Sequence, residues 1–307
     1  MGAMMERTLV GDMPIGNWVD RGLPAALRPY ARLMRLDRPI GTWLLLLPGW
    51  WSIALAAEGW PDWWLIALFG LGAMVMRGAG CTFNDWVDRH FDGQVERTRQ
   101  RPIPSGAVTP LQALLFLALQ LGVGLLILLQ FNIFAIVVGA ASLLLVFPYP
   151  FMKRITYWPQ AWLGLTFNWG ALLGWAAATG SLDGPPLVMY AAGLFWTLGY
   201  DTIYAHQDKE DDALIGVKST ALRLGLNTKP WLLGFFALAV LLLGLSGWLA
   251  GLAWPYYLFL FLAWLQTIWQ VSDLEIDDSN DCLAKFKSNR YFGWLVLGGI
   301  LAGRVLA

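Results

Sequence analysis

Two stretches of this chain concentrate groups able to hold a cation and a phosphate. The first is Asn84-Asp85-Trp86-Val87-Asp88-Arg89-His90-Phe91-Asp92, and the second runs from Asp201 through Tyr204 and Asp208 to Asp212. At about 3.6 residues per turn, positions four apart share a helix face. Asn84, Asp88 and Asp92 then form one stripe, and Asp201, Tyr204, Asp208 and Asp212 form another. Like charges stacked this way repel, so the arrangement requires cations. Oxygen donors without cysteine suit Mg2+ or a similar hard ion. Such an ion typically takes one or two carboxylates plus substrate phosphates, so two stripes read as a site for a diphosphate held through magnesium. The plainer alternative is a pair of solvated helix ends whose acids pair with Arg89, Arg97 and Lys209. Recurrence at matched spacing argues against it.

Arg77 adds to the pattern. It lies inside an apolar run, where a charge costs about 2.5–3.5 kcal/mol and marks a functional site by default. It precedes Asn84 by nearly two turns on the same face, so it is expected to point inward toward the diphosphate.

The elements that must position these groups are membrane helices. Of 307 residues, 57% are hydrophobic and 14% charged, against about 25% charged in soluble domains, and mean hydropathy is +0.53. This excludes a disordered chain, a nucleic-acid binder with a basic face, and most soluble enzymes. Cys81 and Cys282 are too few for a disulfide framework or a cysteine-based zinc site. A bilayer core takes about 20 apolar residues to cross. Nine such runs are present: 40–57, 63–82, 111–130, 133–149, 158–178, 186–205, 231–250, 254–271 and 291–305. The expected fold is an all-α integral membrane protein, with a tail over 1–38 and a transmembrane domain over 39–307. Trp60, Trp63, Trp64, Trp158 and Trp254 sit at run ends, as in interfacial belts. The acidic clusters end runs two and six, which suggests an internal duplication of four helices plus four plus one.

Lys and Arg set the orientation. They fill the tail (Arg7, Arg21, Arg28, Arg32, Arg35, Arg38) and the second, fourth, sixth and eighth loops, and are missing from the odd-numbered loops. The positive-inside rule then makes the N-terminus and the acidic clusters cytoplasmic, and the C-terminus external.

The residues also match a family pattern. The segment NDWVDRHFD followed by Arg97-Thr98-Arg99-Gln100-Arg101-Pro102-Ile103-Pro104-Ser105-Gly106 resembles the first signature of the UbiA superfamily of membrane prenyltransferases. Tyr200-Asp201-x-x-Tyr204-Ala205-x-x-Asp208-x-x-x-Asp212, followed by Ile215-Gly216-Val217-Lys218-Ser219-Thr220, resembles the second. Arg35-Leu36-Asp37-Arg38-Pro39-Ile40-Gly41-Thr42, Pro148-Tyr149-Pro150-Phe151-Met152-Lys153-Arg154 and Cys282-x-x-x-Phe286-x-x-Asn289 fit as well. The RPIPSG, YPFMKR and GVKST strings resemble the branch that prenylates 4-hydroxybenzoate in ubiquinone biosynthesis. The resemblance spans residues 32–295 and implies nine transmembrane helices around a large cavity with a cytoplasmic cap.

The implied reaction moves a polyprenyl group from polyprenyl diphosphate to the ring carbon ortho to the hydroxyl of 4-hydroxybenzoate. Magnesium is expected on Asn84, Asp88, Asp92, Asp201, Asp208 and Asp212, with Asp85 as a further ligand or as a partner of one. Arg77, Arg89, Lys153 and Arg154, with Arg38 and Lys218 behind them, are candidates to stabilise the leaving diphosphate. Tyr149, Tyr200 and Tyr204 are candidates to face the allylic cation. Arg38 or Arg154 is expected to hold the acceptor carboxylate, since an Arg fork suits it best. A cluster Asp or released diphosphate takes the ring proton.

Other features support less. Asp273, Glu275, Asp277, Asp278 and Asp281 lack the four-residue regularity and read as a solvated loop. His90 and His206 fall off the ligand stripes, and Cys81 reads as a packing residue. The competing readings are a relative with another aromatic acceptor, a CDP-alcohol phosphotransferase, and a cation transporter. The second lacks its DGxxAR pattern here, and transporter sites sit near the bilayer centre. A bacterial inner membrane is the expected location, because the first residues lack an Arg- and Ser-rich amphipathic presequence.

Overall fold

The computed structural model describes residues 9–10, 13–14, 16–94 and 98–307; Arg7 and Arg97 lie outside them. In chain order it places β1 (Leu9–Val10) antiparallel to β2 (Met13–Pro14), then α1 (Trp18–Gly22), α2 (Arg28–Leu33), α3 (Ile40–Ala56), α4 (Trp63–Asp92) and α5 (Pro110–Leu128). Next come α6 (Ile133–Ala141), α7 (Leu143–Val146), α8 (Tyr149–Ile155), α9 (Pro159–Phe167), α10 (Trp169–Thr179) and α11 (Gly184–Ala205). A 3-10 turn (His206–Asp208) leads to α12 (Lys209–Ile215), α13 (Thr220–Leu224), α14 (Thr228–Leu249), α15 (Pro255–Ser272) and α16 (Ser279–Val305).

Local chemistry sets many of these ends. Asn132 caps α6 by accepting from the Ala135 N–H at 2.9 Å, and Asp278 caps α16 from Asn280 at 2.8 Å. Proline occupies the first turn of α9, α11 and α15, where its missing N–H is harmless. Gly180 and Gly216 end α10 and α12 at φ near 73°.

The apolar runs are helical, but not always as one helix each. The fourth run is divided among α6, α7 and the start of α8, and the fifth breaks at Asn168, which separates α9 from α10. Asn168 is 1% exposed, and its Nδ2 donates to Gly164 O and Thr197 Oγ1. The second run extends as helix to Asp92, so the first acidic motif rides on its last turns.

Among the described residues, four stretches are long and apolar enough to cross a membrane: Trp63–Asp92, Pro110–Leu128, Ile133–Ile155 and Thr220–Leu249. In α5 only 11% of the most apolar window is buried, and Leu111, Leu115, Leu119 and Leu126 point outward along one face. An exposed leucine face of that length belongs in lipid. The chain is an integral membrane protein with an all-helical body.

Two compact units divide the chain. One comprises residues 1–42 and 71–127. Its core joins Leu33 of α2 to Ile103, Val108 and Ala113, with Tyr30, Trp86 and Phe116 packed against it. Helix α2 is therefore folded against α4 and α5. The other unit comprises residues 43–70 and 128–307. Within it α11 packs against α9, α14 and α16, and α15 against α14 and α16. Trp196 of α11 is fully buried, ringed by Trp51, Tyr200 and Phe292 at 5.1–5.2 Å, and its Nε1 donates to Asn289 Oδ1 at 3.0 Å.

Candidate active site

The first acidic motif keeps the geometry its spacing predicts. Helix α4 is unbroken through Asp92, so Asn84, Asp88 and Asp92 repeat along one face. Asp88 is fully buried and Asp92 nearly so, while Asn84 is half-buried. Thr98 Oγ1 donates to the Asp92 carbonyl at 2.9 Å, closing the helix end.

Asp85 meets two arginines. Its Oδ1 accepts from Arg35 Nη2 at 2.7 Å and from Arg101 Nη1 at 3.3 Å. The same Arg101 nitrogen lies 2.9 Å from Asp92 Oδ2. Asp85 and Asp92 are seven residues apart, close to two full turns, so one guanidinium can reach both. Neither Arg35 nor Arg101 stood out as a site residue by sequence. Their only signal was membership of the RLDRPIGT and RPIPSG strings.

The other cations of this unit are also held. Arg38 Nε lies 3.6 Å from Oδ1 of its neighbour Asp37. Arg77 donates to Cys81 Sγ and crosses Gly41. Arg89 turns back along α4, donating to the Trp86 carbonyl at 2.6 Å with its guanidinium 4.7 Å from the Trp86 ring. Cys81, expected as a packing residue, is therefore also the contact of Arg77.

The second motif departs from a single helical stripe. Helix α11 ends at Ala205, and Asp208 stands at φ −115° before α12 restarts. Asp201 and Tyr204 belong to one helix and Asp212 to the next. The restart has a physical logic. Glu210, Asp211 and Asp212 fall in the first turn of α12, where negative charge meets the positive end of the helix dipole. His206 fills the break, buried, with Nε2 3.0 Å from Thr228 Oγ1. Burial and nearby Lys209 push its pKa down to about 4, so the ring is neutral near pH 7.

The aromatic candidates divide. Tyr204 is half-buried, with its ring 4.5 Å from Phe286. Tyr200 is 1% exposed, wedged between Trp196 and Phe286, and its hydroxyl accepts from Thr197 at 3.0 Å. That is the setting of a core residue. Phe286 and Asn289 of the third string thus lock α16 to α11. Tyr149 opens α8 and is half-buried.

The YPFMKR and GVKST strings meet in this unit. Lys218 N donates to Lys153 O at 2.8 Å, and Lys218 Nζ donates to Ile155 O at 3.1 Å over the Tyr157 ring. The Lys218 ammonium thus ties two segments together. Arg154 is exposed, its guanidinium 5.6 Å from the Phe151 ring.

The third acidic run is solvent-exposed at Asp273, Glu275, Asp277 and Asp278, as expected, and it also carries ion pairs. Lys285 is 4% exposed and pairs with Asp273 and Asp281, and Asp277 pairs with Lys209. Lys209 holds the Asp277 carboxyl below its usual range. Cys282 is buried beside this run, which pushes its thiol up to about 11.

Among the described residues, no three His, Cys, Asp or Glu side chains converge as a ready-made cage. An all-oxygen donor set with few carboxylates per ion suits Mg2+ that shares its coordination with a diphosphate.

Comparison with known proteins fixes the class. Residues 45–296 match the UbiA prenyltransferase family, and the chain belongs to that family. It is 55% identical over 292 residues to the mitochondrial 4-hydroxybenzoate polyprenyltransferase of Arabidopsis thaliana, covering 94% of this chain and 72% of that one. The Homo sapiens protein of the same name is 54% identical over 285 residues, covering 92% and 77%. The 4-hydroxybenzoate geranyltransferase 2 of Lithospermum erythrorhizon is 50% identical over 293 residues, covering 94% and 95%. A UbiA homologue from Aeropyrum pernix superposes with a TM-score of 0.71 at 24% identity, over 84% of this chain and 96% of that one. One from Archaeoglobus fulgidus, bound to GPP and Mg2+, gives 0.65 at 17%, over 91% and 100%. These two structures share the fold. The expected bacterial inner membrane draws no support from relatives whose names are mitochondrial.

Proposed function

We propose that this chain transfers a polyprenyl group from its diphosphate to the carbon ortho to the hydroxyl of 4-hydroxybenzoate, with Mg2+, as a step toward ubiquinone. Identity of 50–55% over more than nine-tenths of the chain, to proteins named for that acceptor, carries the reading. Nine membrane crossings over 39–307, a cavity with a cytoplasmic cap, and a cytoplasmic N-terminus belong to the same proposal.

In this reading Asn84, Asp88 and Asp92 hold ions from one motif, and Asp201, Asp208 and Asp212 from the other. Bound Mg2+ supplies charge stabilisation of the leaving diphosphate. The allylic C–O bond breaks and its electron pair leaves with the diphosphate. A ring π pair then forms the new C–C bond, and the ring proton passes to a cluster Asp or to the diphosphate.

Arg77, Arg89 and Lys153 add positive charge to the diphosphate side. Arg154, exposed near the end of α8, holds the acceptor carboxylate in this reading, with Arg38 as the alternative, since a guanidinium fork suits a carboxylate. Tyr149 and Tyr204 offer ring faces to the cation. Tyr200 contributes through packing and Lys218 through its tie to α8. Lipid and apolar helices keep water from the cation.

Asp88→Ala and Asp208→Ala test the proposal. Both variants should be expressed at wild-type levels in the membrane fraction and give no prenylated acid. Retained turnover in both contradicts the assignment.

A further inference from the structure

We propose that Asp85, although it lies within the first acidic motif, is a positioning residue that fixes Arg101 at the end of the stripe, and not a metal ligand. The inference rests on the diphosphate site proposed above.

Charge is the first argument. The Asp85 side chain is 1% exposed and two guanidiniums share its Oδ1. A buried carboxylate needs a counter-charge, and here two arginines supply it. A metal ion added at the same oxygen would stand beside two like charges.

The second argument is where those arginines come from. Arg35 follows α2 and stands at φ +59°, the one non-glycine residue with positive φ among the described residues. A side chain there costs of order 1 kcal/mol of backbone energy and persists only where its surroundings hold it. The bond to Asp85 is such a hold. Arg101 arrives from the opposite direction, on the segment after α4, with Thr98 anchored to the Asp92 carbonyl. Asp85 therefore gathers the segment before α3 and the segment after α4 onto one point of α4.

The third argument is what Arg101 does next. The nitrogen it directs to Asp85 also contacts Asp92 Oδ2. Asp85 thus orients the cation that orients the last carboxylate of the stripe. Asp85 Oδ2 is buried and accepts no hydrogen bond, so the experiment must separate positioning from direct ligation.

The test uses the full-length protein in detergent with geranyl diphosphate, 4-hydroxybenzoate and Mg2+. Asp85→Asn, Arg101→Gln and the double variant are compared, with Asp88→Asn alongside. Positioning predicts that each single variant raises the KM for geranyl diphosphate about tenfold while kcat falls less than about threefold. The double variant should be no worse than the poorer single one, because both break one link. The Mg2+ concentration for half-maximal rate should stay within about twofold of wild type in Asp85→Asn. Mg2+ with a non-reacting thiolo analogue of geranyl diphosphate should still raise its melting temperature as in wild type.

A tenfold or larger rise in the Mg2+ midpoint of Asp85→Asn, or loss of that thermal shift while Arg101→Gln keeps it, overturns the proposal. Additive effects in the double variant overturn it as well. Should Asp85→Asn fail to fold, Arg35→Gln and Arg101→Gln carry the test with Asp85 intact. Raised KM in both supports the proposal, and unchanged KM in both overturns it. Full activity of Asp88→Asn would remove the site reading itself, and the inference with it.

Discussion

Gly41 and Arg77 are fitted to each other: a Cβ on Gly41 would lie 2.5 Å from Arg77 Nε and 2.8 Å from Nη2. The glycine between Ile40 and Thr42 thus leaves the lane through which an arginine of α4 runs. A charge inside an apolar run is costly, so its path is worth preserving.

Gly41→Ala is expected to displace the guanidinium and leave the fold intact. Overpacking of this kind costs about 1–3 kcal/mol, so the melting temperature in detergent should fall by only a few degrees. The KM for geranyl diphosphate should rise about tenfold, matching Arg77→Lys in direction. A variant with unchanged KM and unchanged stability would show that the close approach has no consequence.

Tyr200 and Tyr204 should separate by kinetics. Tyr200 is buried and takes a hydrogen bond from Thr197, so Tyr200→Phe should cost about 1 kcal/mol of stability with kcat within about threefold of wild type. Tyr204→Ala should lower kcat by about tenfold or more through loss of a ring face toward the cation. Steady-state rates and thermal melts of both variants decide, and a large kcat loss in Tyr200→Phe would return that residue to the reaction.

Trp196 is expected to be the mechanical centre of the larger unit. Its ring touches Trp51, Tyr200 and Phe292, and its Nε1 reaches Asn289. Trp196→Ala should cost about 3–5 kcal/mol. Trp196→Phe keeps most of the ring contact and loses the bond to Asn289, so it should lose far less. Thermal melts of the two variants measure the difference.

His206 gives a pH signature. Its pKa is about 4 in the fold against an ordinary 6.5, because burial and Lys209 disfavour the imidazolium. Above pH 6.5 neither the folded nor the unfolded state protonates it. As pH falls from 6.5 toward 4 the unfolded chain binds the proton first, so stability declines through that window and levels off below it. His206→Gln should flatten this part of the stability–pH curve, measured by denaturation between pH 4 and 7.

What could be read from sequence follows the reach of local geometry. The first stripe is legible because α4 does not break, so a four-residue spacing remains a face. The second stripe loses that form because α11 stops at Ala205 and the acids restart a helix. Spacing alone cannot report a chain break that depends on a buried His206 and on charge at a new helix start. Asp85 looks like its neighbours by spacing. Its partners lie 50 and 16 residues away, at separations that periodicity does not see. Lys218 and Arg89 likewise read as candidates to meet the leaving diphosphate, and spacing does not report that they also donate to the Ile155 and Trp86 carbonyls.

The most direct test of the central claim is product formation by the purified protein in detergent. It is given 4-hydroxybenzoate and geranyl diphosphate, with either Mg2+ or EDTA, and mass spectrometry looks for the geranylated acid. Product with Mg2+ that disappears with EDTA is the predicted result. No product with Mg2+, under conditions where an active relative works, would contradict the acceptor assignment. Undiminished product in EDTA would contradict the magnesium-held diphosphate.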